Sequence, residues 1–363
     1  MVTDKETESK QSKNIRIKVL FITPSSPDYL ADSLLHGLRS FIGDHVVDYP
    51  RCDILYQEVE LKQKSQIYGR GFTLYGLLED VFIDRLNIYQ KVDEGFFDLI
   101  IFPNIFSYFG AFLEFLPHLN FRNTIILDSA DSPQLYPFAG KWYRNPSYWF
   151  LPRAHSRFLY FKREWTPDSI RSLWFQVPPP GLAKYLPVPN NLRPISFSIP
   201  VDKIVSDTSV KTKLFPKHIV DCEVAENVSG SVTSYAFASE AEYYADLQAS
   251  KFGITTKRSG WDCLRHYEIA ANGAVPCFRD LDKKPITCAP HGLNEQNSIS
   301  YRNYNDLMQK IQNISDSEYE NLQKNALMWA RENTTLARAK QVLDTFEKFK
   351  RQNEDKRSRL FQK

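Results

Sequence analysis

Apolar and polar positions in the first part of the chain predict buried strands separated by helices. IRIKVLFITP (15–24) is β-branched, mostly apolar and stopped by a proline, as a buried parallel strand would be. After it, Leu30, Leu34, Leu35 and Leu38 fall at helical spacing. Further strands are predicted at HVVDY (45–49), DILYQ (53–57), DLIIFPNIF (98–106) and NTIILDS (123–129), with a helical FGAFLEFLPHL between the last two. Strands alternating with helices argue for a mostly parallel sheet.

The pattern breaks at 131–200, where prolines and aromatics cluster (PFAG, NPSYW, LPRAH, VPPPG, VPNNLRP) around one strand, RFLYFKREW (157–165). The rest of that stretch reads as irregular wall and linker, and SFSIPVDKI (196–204) closes the first unit. The α/β pattern then restarts. Strands are predicted at 217–225, 251–256, 274–278 and 297–301, and helices at 240–249, 261–271, 304–312, 316–331 and 335–352. Ser239 with Glu242, and Ser317 with Glu320, have capping-box spacing.

Composition changes this picture little. Hydrophobic residues are 42 % and charged residues 25 % of 363, which excludes a mainly disordered or collagen-like chain. A net charge of +3 without a clustered basic face predicts no nucleic-acid partner. Five cysteines without a CxxC suggest reduced thiols in a cytoplasmic protein, and no zinc site. Residues 1–14 are polar and read as a disordered tail, and no apolar run is long enough to span a bilayer. The charged end, FEKFKRQNEDKRSRLFQK, reads as a solvated helix end, with peripheral contact at the inner membrane surface as the alternative.

The most informative segment is SKFGITTKRSGWDCLRHYEIAANGAVPCF (250–278). A buried strand runs into the loop Thr256-Lys257-Arg258-Ser259-Gly260, and a helix follows with Ser259 as its expected N-cap. Free N–H groups at a helix start attract anions, and Lys257 and Arg258 beside them suit a diphosphate. Trp261, Arg265 and Glu268 share one helical face, and Leu264, Tyr267 and Ala271 share another. A carboxylate two turns into such a helix can accept both hydroxyls of a ribose. Asn272-Gly273 stops the helix. A capping box at Ser259/Asp262 and a surface ion pair at Arg265/Glu268 are the plain structural alternatives.

This segment resembles the donor-binding region of GT-B glycosyltransferases, of the family-1-like and exostosin types. A loop, a helix with a glutamate and then a small-residue turn and a proline leading into a strand follow their order. The resemblance implies two Rossmann-like domains facing across a cleft: 15–200 on the acceptor side, with the insertion 131–200, and 201–335 on the donor side. The chain 336–363 is then a closing helix that returns to the first domain, with its charged tail. It implies Glu268 on the ribose, Lys257, Arg258 and Ser259 on the diphosphate, and Arg265 as a supporting cation. The acidic partner that many retaining members place upstream of that glutamate is absent, because Gly260 and Trp261 stand there.

The expected activity is sugar transfer from a nucleotide-sugar to a glycan, polysaccharide or lipid-linked acceptor. The nucleotide-sugar is a substrate, so no cofactor and no metal are expected. An inverting enzyme needs a base in the first domain. Asp128, at the end of NTIILDS, is the candidate, and His36 in the first helix is a second. Asp48 and the loop Gly69-Arg70-Gly71-Phe72-Thr73 are weaker candidates, and His291 in Cys288-Ala289-Pro290-His291 is expected near the sugar. Two other readings are a non-catalytic nucleotide- or carbohydrate-binding module of the same fold, and another α/β nucleotide-sugar enzyme such as an epimerase. The missing G-x-G-x-x-G after the first strand argues against the epimerase.

Overall fold

The computed structural model describes residues 17–24, 26–135, 154–172 and 177–361. The predicted tail 1–14 and residues 136–153 of the insertion lie outside them. Strands β1 (Val19–Ile22), β2 (Val46–Tyr49), β3 (Leu99–Pro103), β4 (Thr124–Asp128), β5 (Leu159–Lys162) and β6 (Leu192–Pro194) form one parallel sheet in the order β2-β1-β3-β4-β5-β6. Strands β7 (Phe252–Thr256), β8 (Val275–Arg279) and β9 (Ile299–Tyr301) form a second parallel sheet. The helices are α1 (Tyr29–Ile42), α2 (Leu61–Gln66), α3 (Ile88–Asp93), α4 (Phe109–Phe115), α5 (Ala154–Arg157), α6 (Pro167–Ser172), α7 (Cys222–Asn227), α8 (Glu240–Ala249), α9 (Leu264–Ala271), α10 (Tyr304–Asn313), α11 (Asp316–Glu332) and α12 (Thr335–Phe361).

Two Rossmann-like α/β units are therefore present, as the alternating pattern predicts. LIIFP and TIILD are buried at every position, because helices cover both faces of a parallel sheet. Strand order reverses between β1 and β3, which opens a crevice beyond the carboxyl ends of those strands.

The two units share a core. Phe21, Ile101 and Leu127 of the first sheet lie in one apolar cluster with Tyr267 and Ala271 of α9 and Trp329 of α11. Helix α12 returns across α1, and a Cβ at Gly37 would collide with the Thr335 carbonyl. His36 Nδ1 lies 3.0 Å from Thr335 Oγ1 in the same seam.

Several elements differ from expectation. DILYQ is a 3-10 turn, Asp53–Leu55, and Tyr56 makes only an isolated bridge to Leu78. Residues 217–225 make one bridge, His218 to Val232, and then start α7. Asp221 ends any strand there: its carboxylate accepts from the amides of Glu223 and Val224, from Arg279 and from the Tyr301 hydroxyl. VPNNLRP, read as irregular, supplies β6. The capping box of α11 is Ser315 with Glu318, not Ser317 with Glu320. That of α8 is Ser239 with Glu242, as predicted. Among the described residues, no helix is long and apolar enough to cross a membrane.

Candidate functional site

A cavity of about 510 Å³ lies where the carboxyl ends of β3, β4 and β5 face the loop after β7. Asp28, Asn104, Ser129, Asp131 and Arg163 line it from the first unit. Arg258, Ser259, Gly260, Arg265 and Glu268 line it from the second. Tyr29, Tyr68, Phe72, Phe197 and Tyr235 add aromatic walls.

The second-unit wall starts three residues later than its sequence suggests. Helix α9 begins at Leu264, and its N-cap is Cys263, with no side-chain cap bond. Asp262 holds residues 259–263 out of the helix, because its carboxylate accepts from Phe197 N at 2.7 Å and from Tyr267 Oη at 3.0 Å. Neither the expected Ser259 N-cap nor the alternative Ser259/Asp262 capping box is therefore formed, and Ser259 is left exposed on the cavity wall. An uncapped helix start keeps its N–H groups available for an anion. Burial pushes the Asp262 carboxyl up to about 6, against the pull of Arg163.

Arg265 makes no ion pair among the described residues. Its Nε is out of reach of solvent and has no hydrogen-bond partner. The alternative reading, a surface pair with Glu268, does not occur, because the Glu268 carboxylate is engaged elsewhere. Its Oε1 accepts from Thr73 Oγ1 at 2.5 Å, and its Oε2 accepts from Tyr243 Oη at 2.8 Å. Burial raises its pKa, and those two hydroxyls oppose the rise. Each oxygen still has lone-pair capacity for a further donor.

Thr73 reaches Glu268 from the other unit, in the loop the sequence singled out weakly. That loop is strained. Gly69, Arg70, Gly71 and Thr73 have φ of 66°, 57°, 64° and 75°. A β-branched residue at such a φ is an outlier and persists only when its surroundings hold it. Phe72 stacks on Tyr243 at 6.3 Å, which supplies part of that hold.

Gly260 shows why the loop after β7 needs glycine. A Cβ there would collide with Glu164 Oε1 and come within 2.8 Å of Asp131 Oδ1. Lys257 does not line the cavity, and its ammonium sits 5.0 Å over the Trp261 ring. Thr256 ends β7 behind the loop, also outside the cavity lining.

Four further predicted residues lie away from the cavity. Asp128 is wholly buried, 3.0 Å from Lys162 Nζ and bonded by the Tyr160 hydroxyl at 2.5 Å. Burial raises this carboxyl and lowers the lysine. It holds β4 to β5 and has no face to a substrate. His36 sits in the α1–α12 seam, where burial lowers it to about 4. His291 supports Trp329, whose Nε1 donates to the His291 carbonyl at 2.7 Å. Asp48 is buried, with Arg85, Tyr56 and the Cys52 amide on its carboxylate.

Sequence reasoning missed Asp28, Asn104, Asp131 and Arg163. Asp28 stands just before the apolar run of α1, an N-cap position. Its Oδ1 accepts from Leu30 and Ala31 amides, and its Oδ2 from Asn104 and Ser129. Arg163 belongs to a charged triplet, Lys162-Arg163-Glu164, directly after a buried strand, and that triplet was the available signal.

No protein-family model matches the chain, and no curated protein matches it. Among solved structures, it is similar to a glycosyltransferase from Rickettsia africae, with a TM-score of 0.50 at 9 % identity over 92 % of this chain and 98 % of that one. It is also similar to HepE of Anabaena, solved with UDP and glucose, with a TM-score of 0.48 at 10 % identity over 92 % and 100 % of the two chains. At these identities the likeness is one of fold: a GT-B-like pair of Rossmann-like units with a cleft between them.

Proposed function

We propose that the protein transfers a sugar from a nucleotide-sugar donor to a glycan, polysaccharide or lipid-linked acceptor. The observation that carries this reading is the second-unit wall of the cleft. On it, an uncapped helix start, an unpaired arginine and a buried carboxylate follow one another along α9. That order matches diphosphate then ribose along one nucleotide. The Glu268 carboxylate takes the ribose hydroxyls through its remaining lone pairs. Arg258, Arg265 and the free N–H groups at the start of α9 hold the diphosphate. As the bond from the anomeric carbon to the phosphate oxygen breaks, its electron pair goes to the diphosphate. Fixed cations and N–H groups stabilise that charge without reorganising. The first unit presents hydroxyl, amide and carboxylate groups to the acceptor.

Turnover on a panel of UDP-glucose, GDP-mannose, ADP-glucose and dTDP-glucose tests the reading, with release of nucleoside diphosphate as the signal. Release from one nucleotide class supports transfer. Binding without release is the behaviour of a non-catalytic module of this fold, and neither binding nor release contradicts both.

A further inference from the structure

The base expected at Asp128 has no route to a substrate, so another group must take the acceptor proton. A base needs a free lone pair, access to the cavity and a place on the first unit's wall, from which it can reach the acceptor hydroxyl. The cavity is lined by four carboxylates: Asp28, Asp131, Asp262 and Glu268. Asp28 is 8 % exposed and both its oxygens already accept two hydrogen bonds. Asp262 spends one oxygen on Phe197 N and the other on Tyr267, and it is 4 % exposed. Glu268 spends its oxygens on Thr73 and Tyr243. Glu164, beneath the cavity, accepts from Arg163, from the Asp262 amide and from Cys288.

Asp131 differs from all of these. Its side chain is 51 % exposed, and only its Oδ1 is bonded, to Arg163. Oδ2 has no partner among the described residues. Its carboxylate lies against Gly260, 2.8 Å from where a Cβ there would sit, on the loop that faces the diphosphate in the proposed donor pose. Arg163 fixes it. That guanidinium is 2 % exposed and is itself locked by Glu164 at 2.9 Å, the Ser129 carbonyl at 3.0 Å and the Asp262 carbonyl at 3.1 Å.

We propose that Asp131 is the catalytic base, held by Arg163 as a positioning residue, and that transfer inverts the anomeric carbon. This rests on the donor reading above. Asp131 Oδ2 takes the proton of the acceptor hydroxyl. The acceptor oxygen forms its bond to the anomeric carbon, and the bond to the phosphate oxygen breaks on the opposite side. The diphosphate leaves with the electron pair, and the proton passes from Asp131 to solvent. Gly260 lets the loop after β7 pack against this carboxylate, because a Cβ there would collide with Glu164 and crowd Asp131.

Water serves as acceptor for the test, which needs no knowledge of the natural one. Wild type, Asp131→Asn and Asp131→Ala are each given UDP-glucose, GDP-mannose, ADP-glucose and dTDP-glucose. Thermal shift with the matching nucleoside diphosphates is read alongside hydrolysis. The anomer first released is read by proton NMR. The expected result is unchanged nucleotide binding in both variants, hydrolysis slowed about 10²–10⁴-fold, and an inverted first product. Hydrolysis by Asp131→Asn within about threefold of wild type overturns the assignment, as does a retained configuration or loss of nucleotide binding in both variants. A wild type that neither binds nor hydrolyses any of them sinks the donor reading itself, a result distinct from the variant outcomes.

Discussion

At the residue scale, the cleft is built from side chains whose bonding capacity is left unfilled. Arg265 is the clearest case. A shielded guanidinium nitrogen without a partner costs stability in the free protein. Arg265→Leu should therefore raise the melting temperature of the unliganded protein, by the equivalent of about 1–3 kcal/mol. It should also weaken binding of a nucleoside diphosphate tenfold or more, read by calorimetry. Gly260→Ala should act oppositely, disturbing Glu164 and Asp131 and costing about 1–3 kcal/mol in a denaturant titration. The cavity-lining residues of the second unit could be picked out in the sequence because Arg258 to Glu268 lie on one strand–loop–helix stretch, where local spacing sets who faces whom. Asp128 was misread for the converse reason. An aspartate ending a strand satisfies the sequence pattern whether it faces the cleft or turns to its neighbour strand. The deciding partner, Lys162, is distant in sequence.

At the scale of elements, two segments tie the units together. The strained loop at 69–73 carries the Thr73 hydroxyl to Glu268, so part of the second unit's cavity wall is held by the first. Thr73→Ala should raise the KM for the donor several-fold with little change in kcat, and Thr73→Ser should restore it. A merely structural role would instead lower the melting temperature equally in both variants. In the second seam, Gly37→Ala would drive a methyl into the Thr335 backbone and force α1 from α12. A loss of about 3 kcal/mol or more by denaturant titration is expected. Strands β1, β3, β4, β7 and β8 were evident in the sequence because burial on both faces leaves continuous apolar runs. Residues 53–57 and 217–225 carry similar composition without becoming strands. Whether such a run joins a sheet depends on a partner edge, and at 217–225 on the polar claims on Asp221, which lie far along the chain.

At the scale of the whole molecule, buried titratable groups make stability depend on pH in two opposing ways. Burial holds His36 and His218 down to about 4, and His266 to about 3. Each is neutral when folded, while the unfolded chain protonates near 6.5. Their stabilising contribution is complete above that value and is lost as pH falls through the range 6.5 to 3–4. Asp32 runs the other way. Burial and the neighbouring Asp28 push its carboxyl up to about 8, so its contribution is full below about 4 and declines as pH rises to 8. Asp32→Asn should flatten the alkaline side of a melting-temperature profile, and His266→Gln the acid side. Equal slopes in wild type and variant would contradict these assignments. The two-unit α/β plan could be foreseen from the alternation of strands and helices. The shared core joining Phe21 to Trp329 could not, because a packed seam leaves no local spacing to recognise.

Glu268 as the anchor of a nucleotide is what the proposed function depends on most. The most direct measurement is a thermal-shift screen of UDP, GDP, ADP, CMP and dTDP on wild type, Glu268→Ala and Glu268→Gln. One nucleotide at a hundred times its dissociation constant should stabilise the wild type by about 2.7 kcal/mol. Glu268→Ala should lose that response and Glu268→Gln most of it, while both remain folded. A wild type that responds to none of the five, or a Glu268→Ala that responds as well as wild type, would contradict the nucleotide site at its centre.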